Sequence, residues 1–405
     1  MQILHPPDST TAGAPRCGKL PLSRRLCQDF PRFNSWRFWP SWPMCTNGGA
    51  AGVSSGNGRR KKAVNRRRFH GSPPKNLLHP GKKRTMTIGN GRRVAVIGAS
   101  GIGKHHAKWW AHAGADVCAF VGTSPESVAK THDALTALFG FGGHGYTSVK
   151  EMLVAERPDI VDICSPPPLH ALHVRTAIEA DCAVLCEKPF VYDPALSRGE
   201  LMDVAASLVA LAKRRGRLLS VSTQYAAAAL TFARLWADRE PVVHYHGHLE
   251  SPARNRPPDP VRVWVDLSPH PLSVLLKLAP DGEMIPDTLN TQFTGYEAIA
   301  KFDVRLASGN RLHAVIVTRN TQDPPLNIRH FKYNGYPFVV EGQNDENGVY
   351  CARIETPDGN STEPDMLHAA IVAFLRGHPV ADMDESLRNL DWMLRIRDAA
   401  REAMR

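Results

Sequence analysis

The sequence predicts a two-part α/β protein: a doubly wound parallel sheet covered by helices on both faces, then a second α/β domain on a large open, mostly antiparallel sheet. Three observations carry that reading. Short apolar runs alternate with helix-length segments from residue 92 to about 222, the pattern of βαβ units. Beyond that point the runs lengthen and alternate apolar with polar residues, as strands with one wet face do. A composition of 42% hydrophobic and 22% charged residues over 405 positions suffices for a sizeable core in both parts.

In chain order, "RRVAVIGAS" reads as a strand, "GKHHAKWWAHAG" as a helix, "DVCAFVGTS" as a strand and "PESVAKTHDALTALFG" as a helix. The strand "DIVDICSP", the helix "LHALHVRTAIEAD" and the strand "CAVLCEKPF" follow, then the helical "ALSRGELMDVAASLVALAKRRG" and the strand "RLLSVSTQY". "VVHYHGHLES", "QFTGYEAIAKFDVRLAS", "RLHAVIVTRN" and "VYCARIETPDG" supply strands of the second sheet. The expected division is 1–90 as a disordered basic tail, 91–222 as the first domain and 223–405 as the second.

The formal charge of +11 suggests a polyanion partner until it is located along the chain. Residues 1–85 hold 17 Lys+Arg against 2 Asp+Glu, which leaves 33 basic and 37 acidic groups in the rest. The basic signal therefore belongs to the tail, with blocks such as "GRRKKAVNRRR", and the body is not expected to bind nucleic acid. The tail also admits a nuclear address, a transit peptide or a misplaced start ahead of Met86. "RRRF" resembles a twin-arginine signal, but no apolar segment follows it. A chain beginning at Met86 is expected to fold as stably as the whole, which thermal unfolding of the two lengths would check. No run of about 18 apolar residues exists, so no membrane partner is expected. The eight cysteines include no CxxC pair and read as buried thiols in a reducing compartment, which points to the cytoplasm.

Four stretches carry the chemistry. "GASGIG", residues 98–103, follows the first strand and opens the first helix, where glycines let a backbone approach a pyrophosphate that the helix amides then meet. Gly98, Ser100, Gly101, Ile102 and Gly103 are the residues expected to bind a dinucleotide in such a Rossmann turn, with Ser100 in the place of the middle glycine. An acid at the end of the second strand would hold an adenosine ribose and repel a 2′-phosphate. Gly122, Thr123 and Ser124 stand there instead, which keeps both forms of NAD(P) open and favours NADP. "CSPPPLH" fixes a stiff loop at the carboxyl edge of the sheet, so Ser165, Pro166, Pro167 and His170 are further cofactor candidates. In "CAVLCEKPF" an apolar strand ends in Glu187 and Lys188, and Pro189 biases the lysine towards an extended backbone that presents its ammonium at the sheet edge. Asp266 and His270, in "VWVDLSPHPLSVLL", are four apart and so share one face of a helical turn. A carboxylate there can orient the imidazole and raise its pKa for proton transfer.

The order "VIGASGIGKHH", "CSPPPLH", "VLCEKPF", "VDLSPHPL" resembles the Gfo/Idh/MocA oxidoreductases over roughly residues 92–405. The resemblance implies a Rossmann domain and an α/β domain with an open sheet, and dimers formed through that sheet. It further implies NAD(P) held in part by Glu187 and Lys188, with Lys188 on the reacting oxygen, His270 as acid/base and Asp266 at the substrate. A sugar or polyol is the implied substrate. Departures from the family pattern are Arg262, Val263 and Trp264 where many members have a glycine pair, Ser273 where they have an acid, and prolines on both sides of His270. The rival reading is a non-catalytic dinucleotide-binding sensor or scaffold.

His244, His246 and His248 alternate and so face one side of a strand. The outer two lie roughly 13 Å apart, too far for one ion, and no metal is expected.

Overall fold

A computed structural model describes residues 91–236 and 240–405. The expected basic tail therefore lies outside the described residues.

Six strands form the first sheet: β1 (Arg93–Ile97), β2 (Asp116–Val121), β3 (His144–Tyr146), β4 (Ile160–Ile163), β5 (Ala183–Glu187) and β6 (Leu219–Ser222), all parallel in the order β3-β2-β1-β4-β5-β6. Between them run α1 (Gly103–His112), α2 (Pro125–Phe139), α3 (Val149–Glu156), α4 (His170–Glu179) and α5 (Arg198–Arg215). Residues 94–97 and 160–163 are buried throughout, as strands with helices on both faces must be. Local chemistry fixes the helix ends. Ser197 and Glu200 form a capping box at the start of α5, and Gly216 takes the left-handed conformation at its end.

The turn after β1 has two glycines that a side chain could not replace without a clash. Gly98 has φ +90°, and a Cβ there would lie 2.7 Å from the Cys164 carbonyl oxygen; a Cβ on Gly103 would collide with the Gly98 carbonyl. Gly101 has open space around it. The outer glycines thus seat α1 on the sheet, while Ser100, Gly101 and Ile102 are exposed at its start.

Eight strands form the second sheet: β7 (His244–Pro252), β8 (Glu283–Thr294), β9 (Glu297–Arg305), β10 (Arg311–Thr321), β11 (Ile328–Tyr333), β12 (Tyr336–Asn344), β13 (Tyr350–Thr356) and β14 (Gly359–Pro364). Their order is β14-β13-β12-β11-β7-β10-β9-β8, antiparallel except where β7 lies parallel to β10. On β7, Tyr245, Gly247 and Leu249 are buried while His244 is exposed and His246 and His248 are half-buried, so one face is covered and one is open.

The covering elements are α6 (Tyr225–Leu235), α7 (Pro260–Leu267), α8 (Pro269–Leu278) and the C-terminal α10 (Met383–Ala403). The remaining helix, α9 (Met366–Leu375), packs on α1 instead. Its Leu367, Ile371 and Phe374 share a core cluster with Val94, Val96, Trp109 and Trp110. The chain therefore returns to the first sheet after completing the second.

Beyond α6, α9, α10 and β14, which the sequence reading left unassigned, three details differ from the sequence expectation. β3 and α3 lie in "GGHGYTSVKEMLVAE", which the alternation left unassigned because β3 has only three residues. "QFTGYEAIAKFDVRLAS" is a hairpin of β8 and β9 that turns at Gly295, whose φ is +54°. β11 and β12 were not expected at all; "IRHFKYNGYPFVVEGQN" puts Pro337 inside a strand pattern and hides it.

Candidate active site

Lys188 follows directly on β5, at the carboxyl edge of the parallel sheet, and its peptide bond to Pro189 is cis. Its ammonium donates to the Asp266 carboxylate at 3.0 Å and to the Asp266 carbonyl at 2.8 Å. Burial alone would lower its pKa, but the carboxylates of Asp266 and Glu187 outweigh that and raise it. The lysine is thus a fixed cation, not a neutral base. Lys188 in turn holds the Asp266 carboxyl down at about 2, with help from Arg256, 3.5 Å from its other oxygen.

Asp266 closes α7 and His270 opens α8, with Ser268 between the two helices. Prolines 269 and 271 fit there because the first turn of a helix has amides to spare. Asp266 bonds to Lys188 and Arg256, and its role towards the histidine is only that of a nearby charge. The expected rise in the histidine's pKa is reversed. Burial and the Lys188 ammonium push the imidazole of His270 down to about 3. Its Nδ1 is buried without a hydrogen-bond partner, and the Tyr225 ring stands edge-on to it with centroids 5.0 Å apart.

Glu187 points inward, where it was expected to face the cofactor. Its oxygen lies 3.1 Å from Nε2 of His106, whose Nδ1 lies 2.8 Å from Asp162. Trp110 donates to the same Asp162 oxygen at 2.5 Å. Both ring nitrogens of a fully buried histidine therefore meet carboxylates, which only the imidazolium satisfies. Burial opposes that charge, but Asp162 prevails and raises the pKa of His106 well above its usual value. Burial would also raise Glu187, yet the hydrogen bond and charge of His106 hold its carboxyl at about 2. His106, Asp162 and Cys164 are also the group, among the described residues, whose ligand atoms lie close enough for a metal, within 4.8 Å of one another. They are engaged with each other and with Trp110 and Glu187.

His170 is fully buried. Its nitrogens lie 2.9 Å from the Pro189 carbonyl and 2.7 Å from the Ser165 carbonyl, so it braces the proline loop against Lys188 and does not line a cofactor groove. Ser165 is buried and its hydroxyl pairs with His173 at 2.9 Å, whereas Pro166 is exposed. Thr123 is exposed and Ser124 caps α2, with its oxygen accepting from the Ser127 amide. The residues fit a dinucleotide. α1 has no side-chain cap at its start and Gly101 is open.

Sequence reasoning missed His106, Asp162, Tyr225, Arg256 and Arg329. Asp162 carried the same signal as Lys188, a charge inside an apolar strand. The others had no signal, because only the fold brings α1 to Asp162 and Glu187, the segment before α7 to Asp266, and β11 to Tyr225 of α6.

A glycine turn that opens α1 on a parallel sheet, with Lys188 at that sheet's edge bonded to Asp266 of a helix that covers the second sheet, is the arrangement the sequence resemblance implied. Residues 92–223 match the family described as an oxidoreductase family with an NAD-binding Rossmann fold. Residues 92–223 are thus similar to the NAD-binding domain of the Gfo/Idh/MocA oxidoreductases. D-glucoside 3-dehydrogenase of Escherichia coli (strain K12) is 36% identical over 117 residues, which is 29% of this chain and 32% of that protein. The sequence match thus spans about a third of the curated relative. UDP-N-acetylglucosamine 3-dehydrogenase from Acidithiobacillus ferrooxidans superposes with a TM-score of 0.59 at 21% identity, over 76% of this chain and 97% of that one. For myo-inositol 2-dehydrogenase from Lactobacillus plantarum the TM-score is 0.56 at 14% identity, over 77% and 98%. At these identities the structures share the fold. Among the described residues no helix is long and apolar enough to cross a membrane.

Proposed function

We propose that the protein is an NAD(P)-dependent oxidoreductase that interconverts a hydroxyl and a carbonyl on a sugar, polyol or related small molecule. The Lys188–Asp266 pair carries this reading: a lysine at the carboxyl edge of the sheet, kept charged and held by a residue of the other domain. The nicotinamide, when bound, accepts or supplies the hydride.

Lys188 donates a hydrogen bond to the reacting oxygen and stabilises the negative charge that gathers there. Asp266 fixes the ammonium's direction. His270 takes the hydroxyl proton in oxidation and returns it in reduction. Because its pKa is depressed to about 3, it is already unprotonated near neutrality. The expected pH profile of kcat/KM therefore shows no inflection from this group between about pH 5 and 8, and a limb near 6.5 that vanishes in His270→Ala would contradict this. The sign for stability agrees. Below 6.5 the unfolded chain takes up a proton that the folded site refuses, so this site costs stability as the pH falls.

NADPH is expected to bind at least as tightly as NADH, since no acid follows β2 directly. Placing a carboxylate on the exposed loop in Thr123→Asp should lower the NADPH-to-NADH affinity ratio roughly tenfold through repulsion of the 2′-phosphate. Titration of both cofactors against both proteins checks this, and a ratio that does not move sinks it.

The neighbours' names, a glucoside, a UDP-sugar and an inositol dehydrogenase, support a polyhydroxylated substrate. A panel of sugars and polyols with NAD⁺ and NADP⁺, read by absorbance of the reduced nicotinamide, tests the reading. Tight cofactor binding with no turnover on any member would favour the sensor alternative.

A further inference from the structure

We infer that the substrate carries an anionic group, a carboxylate or a phosphate, and that Arg329 receives it. The inference rests on the oxidoreductase reading above and narrows its substrate class.

Arg329 lies on β11 opposite Leu249 of β7, two residues before Phe331, which faces Gly247. Leu249 and Phe331 are buried beneath the covering helices, so Arg329 projects from the covered face and not from the open one that carries His330 and Lys332. Its guanidinium carbon lies 5.8 Å from the centroid of the Tyr225 ring, and that ring stands edge-on to His270 at 5.0 Å. Tyr225 therefore links Arg329 to the histidine on the covered face of the sheet.

Charge decides what would bind beside Arg329. Lys188 and Arg329 are the cations whose charge reaches His270, which is neutral near neutrality, and Arg256 pairs with Asp266. Asp266 serves both Lys188 and Arg256, and Glu187 is committed to His106. Among the described residues no carboxylate lies within ion-pair distance of Arg329. Asp365, the acid whose titration it influences, has one carboxylate oxygen accepting from the amides of Leu367 and His368 at 3.0 and 3.2 Å.

A half-buried guanidinium with no carboxylate in ion-pair contact keeps donors that sugar hydroxyls alone compensate poorly. A carboxylate or phosphate matches its fork of donors with two charge-assisted hydrogen bonds. The ring of Tyr225 adds a cation–π contact to the guanidinium.

The test uses the full chain with glucose, glucuronate and glucose 6-phosphate as probes. Each is assayed for turnover with NAD⁺ and NADP⁺ and for binding by calorimetry in the presence of cofactor, in the unmodified protein, Arg329→Met and Arg329→Lys. One or both acidic probes are expected to bind at least about tenfold tighter than glucose. Arg329→Met is expected to remove most of that advantage through KM, Arg329→Lys to restore part of it, and NADH affinity to stay unchanged in both. A preference for glucuronate alone or glucose 6-phosphate alone identifies which anion the site takes. Equal or better binding of glucose, no binding of any probe, or a loss of NADH affinity in Arg329→Met overturns the proposal. Turnover of glucose alone would leave the enzyme reading standing without it. Arg329-dependent binding of an acidic probe with no turnover would do the reverse.

Discussion

Lys188→Met is expected to slow hydride transfer by about 100-fold or more while cofactor affinity changes little. Methionine keeps the apolar stem that fills the strand end and removes only the donor. The ammonium is held by two bonds to Asp266, so it is already aimed and its removal costs stabilisation of the transition state more than binding of the ground state. Asp266 keeps its contact with Arg256 in the variant, so no carboxylate is stranded and the melting temperature should stay near that of the parent. Single-turnover rates beside a cofactor titration separate the two effects. A variant at full rate, or one that simply unfolds, would reduce Lys188 to a structural strand end.

His106→Leu is expected to have the largest effect on stability, about 3–5 kcal/mol, because it strands Asp162 and Glu187 in the core. The loss depends on pH in a defined direction. Glu187, held at about 2 against an ordinary 4.5, contributes stability that is complete above 4.5 and vanishes as the pH falls through about 2. His106, with a raised value, contributes in full below 6.5 and loses its part as the pH rises through that raised value. The gap between parent and variant should therefore be widest between 4.5 and 6.5. Adding Glu187→Leu to His106→Leu should return part of the loss, since the unpaired charge causes it. A double variant worse than the single would instead make packing the cause. Thermal unfolding across pH reads both.

Seen from the sequence, the first domain was legible because its strands are apolar runs between helices, and "GASGIG" and "CEKPF" stand at strand ends where ligands bind. The short β3 and the proline-bearing β12 were not, since neither presents enough residues in phase. Of the site, Lys188, Asp266 and His270 were found by residue type and spacing and meet in the structure. Their couplings were not legible. A carboxylate four residues from a histidine predicts a raised pKa, but the fold gives Asp266 to Lys188 and leaves His270 beside an ammonium. Glu187 and His170 were read as cofactor contacts from their motifs, yet Glu187 faces inward onto His106 and His170 is buried against the loop that presents Lys188. Arg329 comes from β11, a strand the sequence did not reveal.

In the proposed reaction a hydride leaves a carbinol carbon of the substrate for the nicotinamide. The direct measurement uses the first substrate the panel identifies, deuterated at the reacting carbon, and locates the label after one turnover. Deuterium is expected on C4 of the reduced nicotinamide, with a slowed rate in the unmodified protein. Label lost to water, or a cofactor that stays oxidised while substrate is bound, would contradict it.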